Sequence, residues 1–166
     1  RELGAEDVKL TDYGAVLATI PAAVSGSSPT VAFLAHVDTS PGFNASNVKP
    51  IVYPQYDGGD IRFPDDPNLV LSPDQFPYLA TKRGDDIITA SGTTLLGADD
   101  KAGVAIIMAM VNQFRQNPDL GHGPIRICFT PDEEIGSGAD LLDLTRIQAD
   151  FAYTVDGGAL NILSYE

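Results

Sequence analysis

The chain is poor in cysteine and in positive charge. Cys128 is the sole cysteine among 166 residues, which excludes an internal disulfide and fits a reducing compartment. Set between Ile127 and Phe129, its thiol reads as core packing. Lysine and arginine together number 10 against 23 aspartates and glutamates, a formal net charge of −13. Nucleic-acid binding needs clustered cations for phosphate contacts, and no such cluster exists. No apolar run reaches the roughly 18 residues of a membrane helix. The opening RELGAEDVKL has neither a basic n-region nor an apolar h-region, so neither a membrane span nor a signal peptide is expected. The first residue is Arg rather than Met, so a trimmed start is expected as well. Repeats and low-complexity segments are missing. Acidity of this degree suits solubility, metal binding or attraction of an amino group, and composition does not separate these.

What is present suits one globular domain with a real core, since 43% of residues are hydrophobic and 20% charged. Apolar runs alternate with turn signals. Residues 14–20 (GAVLATI) and 31–37 (VAFLAHV) read as strands. Residues 41–82, holding most of the prolines, read as a long and partly irregular excursion of the kind that tends to carry function. Residues 86–90 form a further short strand. KAGVAIIMAMVNQFR (101–115) is apolar almost all round, which predicts a buried helix stopped by Pro118. IRICFT (125–130) reads as a buried strand, 137–147 as a helix, 150–155 as a strand and 160–165 as another. This alternation predicts an α/β fold, a mostly parallel sheet flanked by helices.

The acids fall at telling places. His36 and Asp38 end the strand 31–37, Asp99 and Asp100 precede the buried helix, Glu133 and Glu134 follow the strand 125–130, and Asp156 follows the strand 150–155. In an open parallel sheet, ligands bind beyond the carboxyl ends of the strands, so these groups are expected to converge on one rim. Taken singly, each has an ordinary reading: a helix cap for Asp99 and Asp100, a hydrogen-bonded histidine, a turn at Asp156 and a solvated loop at Glu133–Glu134. Their joint placement is what those readings explain badly.

One imidazole among several carboxylates suits a borderline divalent metal, zinc above all, whereas cysteine-rich structural zinc is excluded. Asp99 is positioned to bridge two ions about 3.5–4 Å apart. Asp38, two residues beyond His36, can accept the second imidazole N–H and set its tautomer. If TPDEEIG continues extended, Glu133 and Glu134 point opposite ways, one free to act as general base and the other to ligate. A metal-dependent phosphohydrolase would also place carboxylates here, but GADDKAG is not a phosphate-cradling loop.

AHVDTSPG (35–42), TTLLGADDKAG (93–103), FTPDEEIGSGA (129–139) and YTVDGG (153–158) together resemble the peptidase T family. These are tripeptide aminopeptidases of the co-catalytic zinc aminoacylase and carboxypeptidase clan. VLSPDQFPYL (70–79) resembles that family rather than its relatives. The resemblance implies a cytoplasmic enzyme that binds two zinc ions and releases the N-terminal residue of tripeptides. Residue by residue it implies that His36, Asp99 and Asp156 ligate the first zinc, with Asp99 bridging and followed by a cis peptide bond. It gives Glu134 to the second zinc, makes Glu133 the general base and has Asp38 orient the imidazole. His122 matches no ligand.

In that family the catalytic domain is interrupted by a lid and dimerisation domain, then returns with a last zinc-binding histidine. The sequence stops at Glu166. The expectation is therefore that residues 1–166 are the N-terminal portion of a discontinuous catalytic domain, without lid, dimer interface or one ligand of the second zinc, and inactive alone. A dipeptidase or aminoacylase of the same clan is the alternative, as is a folded but non-enzymatic metal-binding core.

Overall fold

The computed structural model describes residues 2–157 and 162–163. The chain divides into two compact units, one of residues 1–39 with 98–166 and the other of residues 40–97.

The first unit is built on a five-stranded sheet. β1 (Glu6–Leu10) pairs antiparallel with β2 (Val16–Ile20), and β2 pairs antiparallel with β8 (Ile125–Thr130). β8 then pairs parallel with β3 (Val31–His36), which pairs parallel with β9 (Phe151–Thr154). The order β1-β2-β8-β3-β9 is thus mixed, with two of its four pairings parallel, where a mostly parallel sheet was expected. The difference arises at β1. Its residues are exposed on both faces but for a half-buried Val8, so they show no apolar alternation to read. It forms a hairpin with β2 through Thr11–Ala15, where Gly14 takes a φ of +100°. The parallel trio β8-β3-β9 is the part that carries the candidate site.

One face of the sheet is closed by α2 (Ala98–Gln116), whose Ile107 and Val111 pack with Ile20, Ala35, Ile125 and Ile127. The opposite face gathers Leu17, Ala32, Cys128 and Ile147. β8 is buried on both faces, which is why its sequence reads as a continuous apolar run. The helix expected over 137–147 is regular only as α3 (Leu144–Ile147). Asp143 caps it by accepting from the Thr145 N–H, and the preceding residues close separate turns at Ser137–Asp140 and Ala139–Leu142. The His122 ring lies tilted by 36° against Phe114 at 4.2 Å and its Nδ1 is 2.8 Å from the Gly123 carbonyl, contacts within the α2–β8 connection.

The second unit holds the proline-rich excursion and is more ordered than its composition suggests. β4 (Ile51–Tyr53) pairs with β7 (Ile87–Thr89), and β5 (Ile61–Arg62) with β6 (Val70–Leu71), both antiparallel. The short helix α1 (Pro77–Ala80) adds Leu79 to a small core with Tyr56 and Ile61. The strand expected over 160–165 lies outside the described residues, apart from Ile162 and Leu163.

Candidate metal centre

β3 ends at His36, whose imidazole is 3% exposed. Its register partners at that level are Thr130 on β8 and, two residues back, Thr154 on β9 opposite Leu34. The segments leaving all three strands therefore emerge side by side. The backbone hydrogen bonds Val37 N–H to Thr130 O and Val155 N–H to Leu34 O extend the pairing toward the rim.

The expected acids converge on the ring. Nε2 of His36 lies 2.9 Å from Asp99 Oδ1, 3.6 Å from Glu133 Oε2 and 3.7 Å from Asp156 Oδ2. Ligand atoms of His36, Asp99 and Glu134 fall within 4.8 Å of one another, as do those of His36, Asp100 and Asp156. On the other side of the ring, Nδ1 is 3.2 Å from Asp38 Oδ1. The direction is poor for a hydrogen bond, so this buried nitrogen has no aligned partner. Asp38 also accepts from the backbone N–H groups of Glu133 (3.3 Å) and Glu134 (3.1 Å).

Glu133–Ile135 forms a single 3-10 turn rather than an extended segment. Asp132 before it and Gly136 after it are both left-handed, with φ of 63° and 75°. The two glutamates still diverge, because successive side chains of a 3-10 turn are about 120° apart. The Asp99–Asp100 peptide bond is cis. Both aspartates have non-helical backbone angles, so the regular part of α2 begins beyond them.

Asp100, expected on the rim from the sequence but given no role there, is the most buried acid of the group at 3% exposure. Its Oδ2 accepts the His36 N–H at 3.2 Å and its Oδ1 the Gly103 N–H at 3.0 Å, which fastens β3 to α2. A side chain at Gly103 would run into the Val155 carbonyl and the Asp100 carboxylate, so only glycine permits this approach. The sequence signal for Asp100 was no more than its place beside Asp99. Lys101 and Thr39 were missed: Lys101 Nζ is 2.6 Å from Thr39 Oγ1 and 3.3 Å from the Asp38 carbonyl. Tyr13 donates its hydroxyl to Ser137 O at 2.9 Å, tying the β1–β2 turn to the loop that carries the glutamates.

The electrostatics follow from crowded acids around one base. Burial works against a charged His36, but the Asp99 hydrogen bond and the charges of Asp38, Glu133 and Asp100 outweigh it and raise its pKa above 6.5. Burial likewise works against Asp38 ionisation, yet N–H groups of Glu134, Asp38 itself and Glu133, together with His36, hold its carboxyl below the usual 3.8. At Asp100 burial prevails over the N–H groups of Gly103 and His36, and its pKa is raised.

Two pockets open at this rim. One of about 340 Å³ is lined by Leu34, His36, Thr130, Glu133, Leu142 and Thr154 among others. Another of about 450 Å³ is bounded by Asp99, Asp100, Gly103, Ile106 and Asp156. A larger cavity of about 700 Å³, around Lys9, Thr19, Arg126 and Arg146, contains none of the rim acids, so size does not locate the chemistry. Among the described residues no helix is long and apolar enough to cross a membrane.

An α/β layer thus carries an imidazole and several carboxylates at the ends of its parallel strands, and the chain belongs to the peptidase family M20/M25/M40, whose model matches residues 70–162. Over all 166 residues it is 51% identical to the Peptidase T of Halothermothrix orenii and 50% identical to the Peptidase T of Geobacillus thermodenitrificans. It spans 41% and 40% of those proteins, about two fifths of their length. Among solved structures it resembles a tripeptidase from Staphylococcus aureus (TM-score 0.67, 28% identity, 95% of this chain and 35% of that one). It is similar also to the aminopeptidase PepT of Bacillus cereus (TM-score 0.66, 29% identity, 95% and 35%).

Proposed function

We propose that the chain carries the metal-binding rim of a zinc aminopeptidase that removes the N-terminal residue of short peptides, tripeptides among them. The observation that carries this reading is the set of three carboxylate oxygens within 3.7 Å of His36 Nε2. One imidazolium cannot neutralise that much negative charge, whereas a divalent cation can, and the mixed nitrogen and oxygen donors suit zinc. The names of the relatives support the peptide substrate.

His36, Asp99 and Asp156 would hold one ion, and Asp99 with Glu134 would contribute to a second. A bound ion of this kind polarises a peptide carbonyl and makes water a better nucleophile near neutral pH. Glu133 is the group we assign to proton transfer. It is half exposed, and its Oε2 faces the rim. Its carboxylate accepts the proton of the attacking water, and the resulting acid returns that proton to the departing amine as the C–N bond breaks. Asp38, 3.2 Å behind the ring, is the group we assign to orienting the imidazole by its charge. The donors of the second ion stop at two among these residues, so we propose no turnover by the 166-residue chain alone. We place the full-length protein in the cytoplasm, which the single buried thiol suits, and expect any dimer to form through segments outside this chain.

The experiment uses the full-length, zinc-loaded protein with a tripeptide and an N-acyl amino acid as competing substrates. Tripeptide cleavage is expected to dominate. Glu133→Ala should lower kcat by about 10²–10⁴-fold with zinc content unchanged. A zinc-loaded protein that leaves tripeptides intact refutes the reading, and loss of zinc from Glu133→Ala would exchange the roles of the two glutamates. Preference for the N-acyl amino acid would favour an aminoacylase of the same clan.

A further inference from the structure

The rim holds an ammonium group that makes no ion pair with its acids among the described residues. Lys101 lies beside Asp99 and Asp100 in sequence, yet its Nζ bonds two neutral oxygens of one short segment, Thr39 Oγ1 at 2.6 Å and the Asp38 carbonyl at 3.3 Å. That segment follows the end of β3 at His36. The same Asp38 presents its carboxylate to the N–H groups of Glu133 and Glu134 and to the back of the His36 ring. A chain of contacts thus runs from the first regular turn of α2, through Lys101, to the backbone at 38–39, and from the Asp38 carboxylate to both glutamates.

We propose that Lys101 is a positioning residue: it clamps the Asp38–Thr39 segment to α2, and through Asp38 it fixes the placement of Glu133 and Glu134. The physical need is clear from the surroundings. Asp38 and Thr39 lie past the last paired residue of β3, so the sheet does not hold them beyond the Val37 N–H bond to Thr130. The glutamates sit on a 3-10 turn with no buried residue, so packing does not hold them either. A charged donor on two oxygens adds a restraint there, strongest at the 2.6 Å contact with Thr39 Oγ1. Lys101 is exposed, yet its ammonium meets these two oxygens and forms no ion pair with a carboxylate among the described residues.

This inference rests on the proposed function only for its effect on turnover; the placement itself is read without metal or substrate. The test compares full-length wild type with Lys101→Met, Lys101→Arg and Thr39→Val by amide hydrogen exchange in the metal-free protein, and by steady-state kinetics in the loaded one. Lys101→Met should speed exchange of the Glu133 and Glu134 amides by about tenfold while the β8 amides of residues 125–130 stay unchanged. It should lower kcat by about tenfold with KM within twofold, the mark of lost alignment rather than lost binding. Thr39→Val should move the same amides by a smaller factor, and Lys101→Arg should restore most of both losses. Unchanged exchange at 133–134 in Lys101→Met overturns the proposal, whatever happens to activity. Faster exchange throughout β8 also overturns it, because Lys101 would then be a general stability residue. If wild type cleaves no peptide, the functional reading fails while the exchange result still decides the clamp.

Discussion

Replacing Asp38 with Asn is the most informative single change, because it alters charge while keeping shape. The Asp38 carboxylate accepts two backbone N–H groups, at 3.3 and 3.1 Å, and stands 3.2 Å from His36 Nδ1. An amide retains one acceptor oxygen, so one N–H must lose its partner and the other trades a charged acceptor for a neutral one. Hydrogen bonds to charged groups contribute about 1.5–3 kcal/mol each when buried, and neutral ones about 1. Here the Glu133 N–H is exposed and water replaces part of what is lost, so the variant should be destabilised by about 1–2 kcal/mol. Urea unfolding of the metal-free protein measures this as a lower midpoint at unchanged slope.

The pH dependence gives the sign. The folded pKa of Asp38 lies below 3.8, so its contribution is present above that ordinary value and lost as pH falls through the lower folded one. The stability gap between wild type and Asp38→Asn should therefore hold at pH 5 and close on acidification. For His36 the direction is opposite: its pKa is raised above 6.5, so its contribution is complete below 6.5 and lost as pH rises through the folded value. Asp38 is one cause of that rise, so the His36 ring should titrate at lower pH in the variant when followed by NMR. A gap independent of pH, or a His36 titration that stays put or moves up, would refute the picture of a carboxylate coupled to both the ring and the glutamate turn.

Metal affinity should depend on the same proton. A ligating imidazole must be neutral, so zinc competition titrations between pH 5 and 8 should show affinity falling about tenfold per unit below the raised His36 pKa, and a flat profile would remove His36 from the ligand set. Cys128 is fully buried and its thiol is pushed up to about 11 by burial. It should resist a thiol reagent at pH 8 until the protein unfolds. Because the unfolded thiol ionises first, near 9.0, stability should decline between that pH and about 11, checked by urea midpoints across the window. Ile107→Ala removes a side chain 1% exposed at the α2–sheet interface, and should cost about 2–5 kcal/mol in the same unfolding assay.

The sequence made the central strands and the long helix legible for a physical reason. β3, β8 and α2 bury apolar side chains and are bounded by turn residues, so period and length both report them. β1 was silent because an edge strand with solvent on both faces has no pattern to show. The regular start of α2 just past Asp99–Asp100 was legible too, and the non-helical backbone of that pair accompanies the contacts of Asp100 with His36 and Gly103. At the site, residue type and strand-end position were enough to nominate His36, Asp38, Asp99, Glu133, Glu134 and Asp156, and the structure brings them together. Lys101, Thr39 and Tyr13 stayed invisible because they act through hydrogen bonds to backbone oxygens or a hydroxyl, which no side-chain pattern records. The glutamates diverge, but a 3-10 turn sets successive side chains about 120° apart instead of on opposite sides as the extended reading expected.

The order β8-β3-β9 has a consequence for how the rim comes into being. His36 meets Asp99 across 63 positions of sequence, and Asp38 meets Glu133 across 95. No local segment holds a usable ligand set, so the donors assemble only after the long loops between these strands have closed. Ion capture would then be a late event that reports completion of the sheet rather than a seed that starts it. An ion that binds only the finished sheet adds about 2.7 kcal/mol at a hundred times its dissociation constant. The sheet makes the ligand cluster, and the ion in return resists the peeling of β9 from β3.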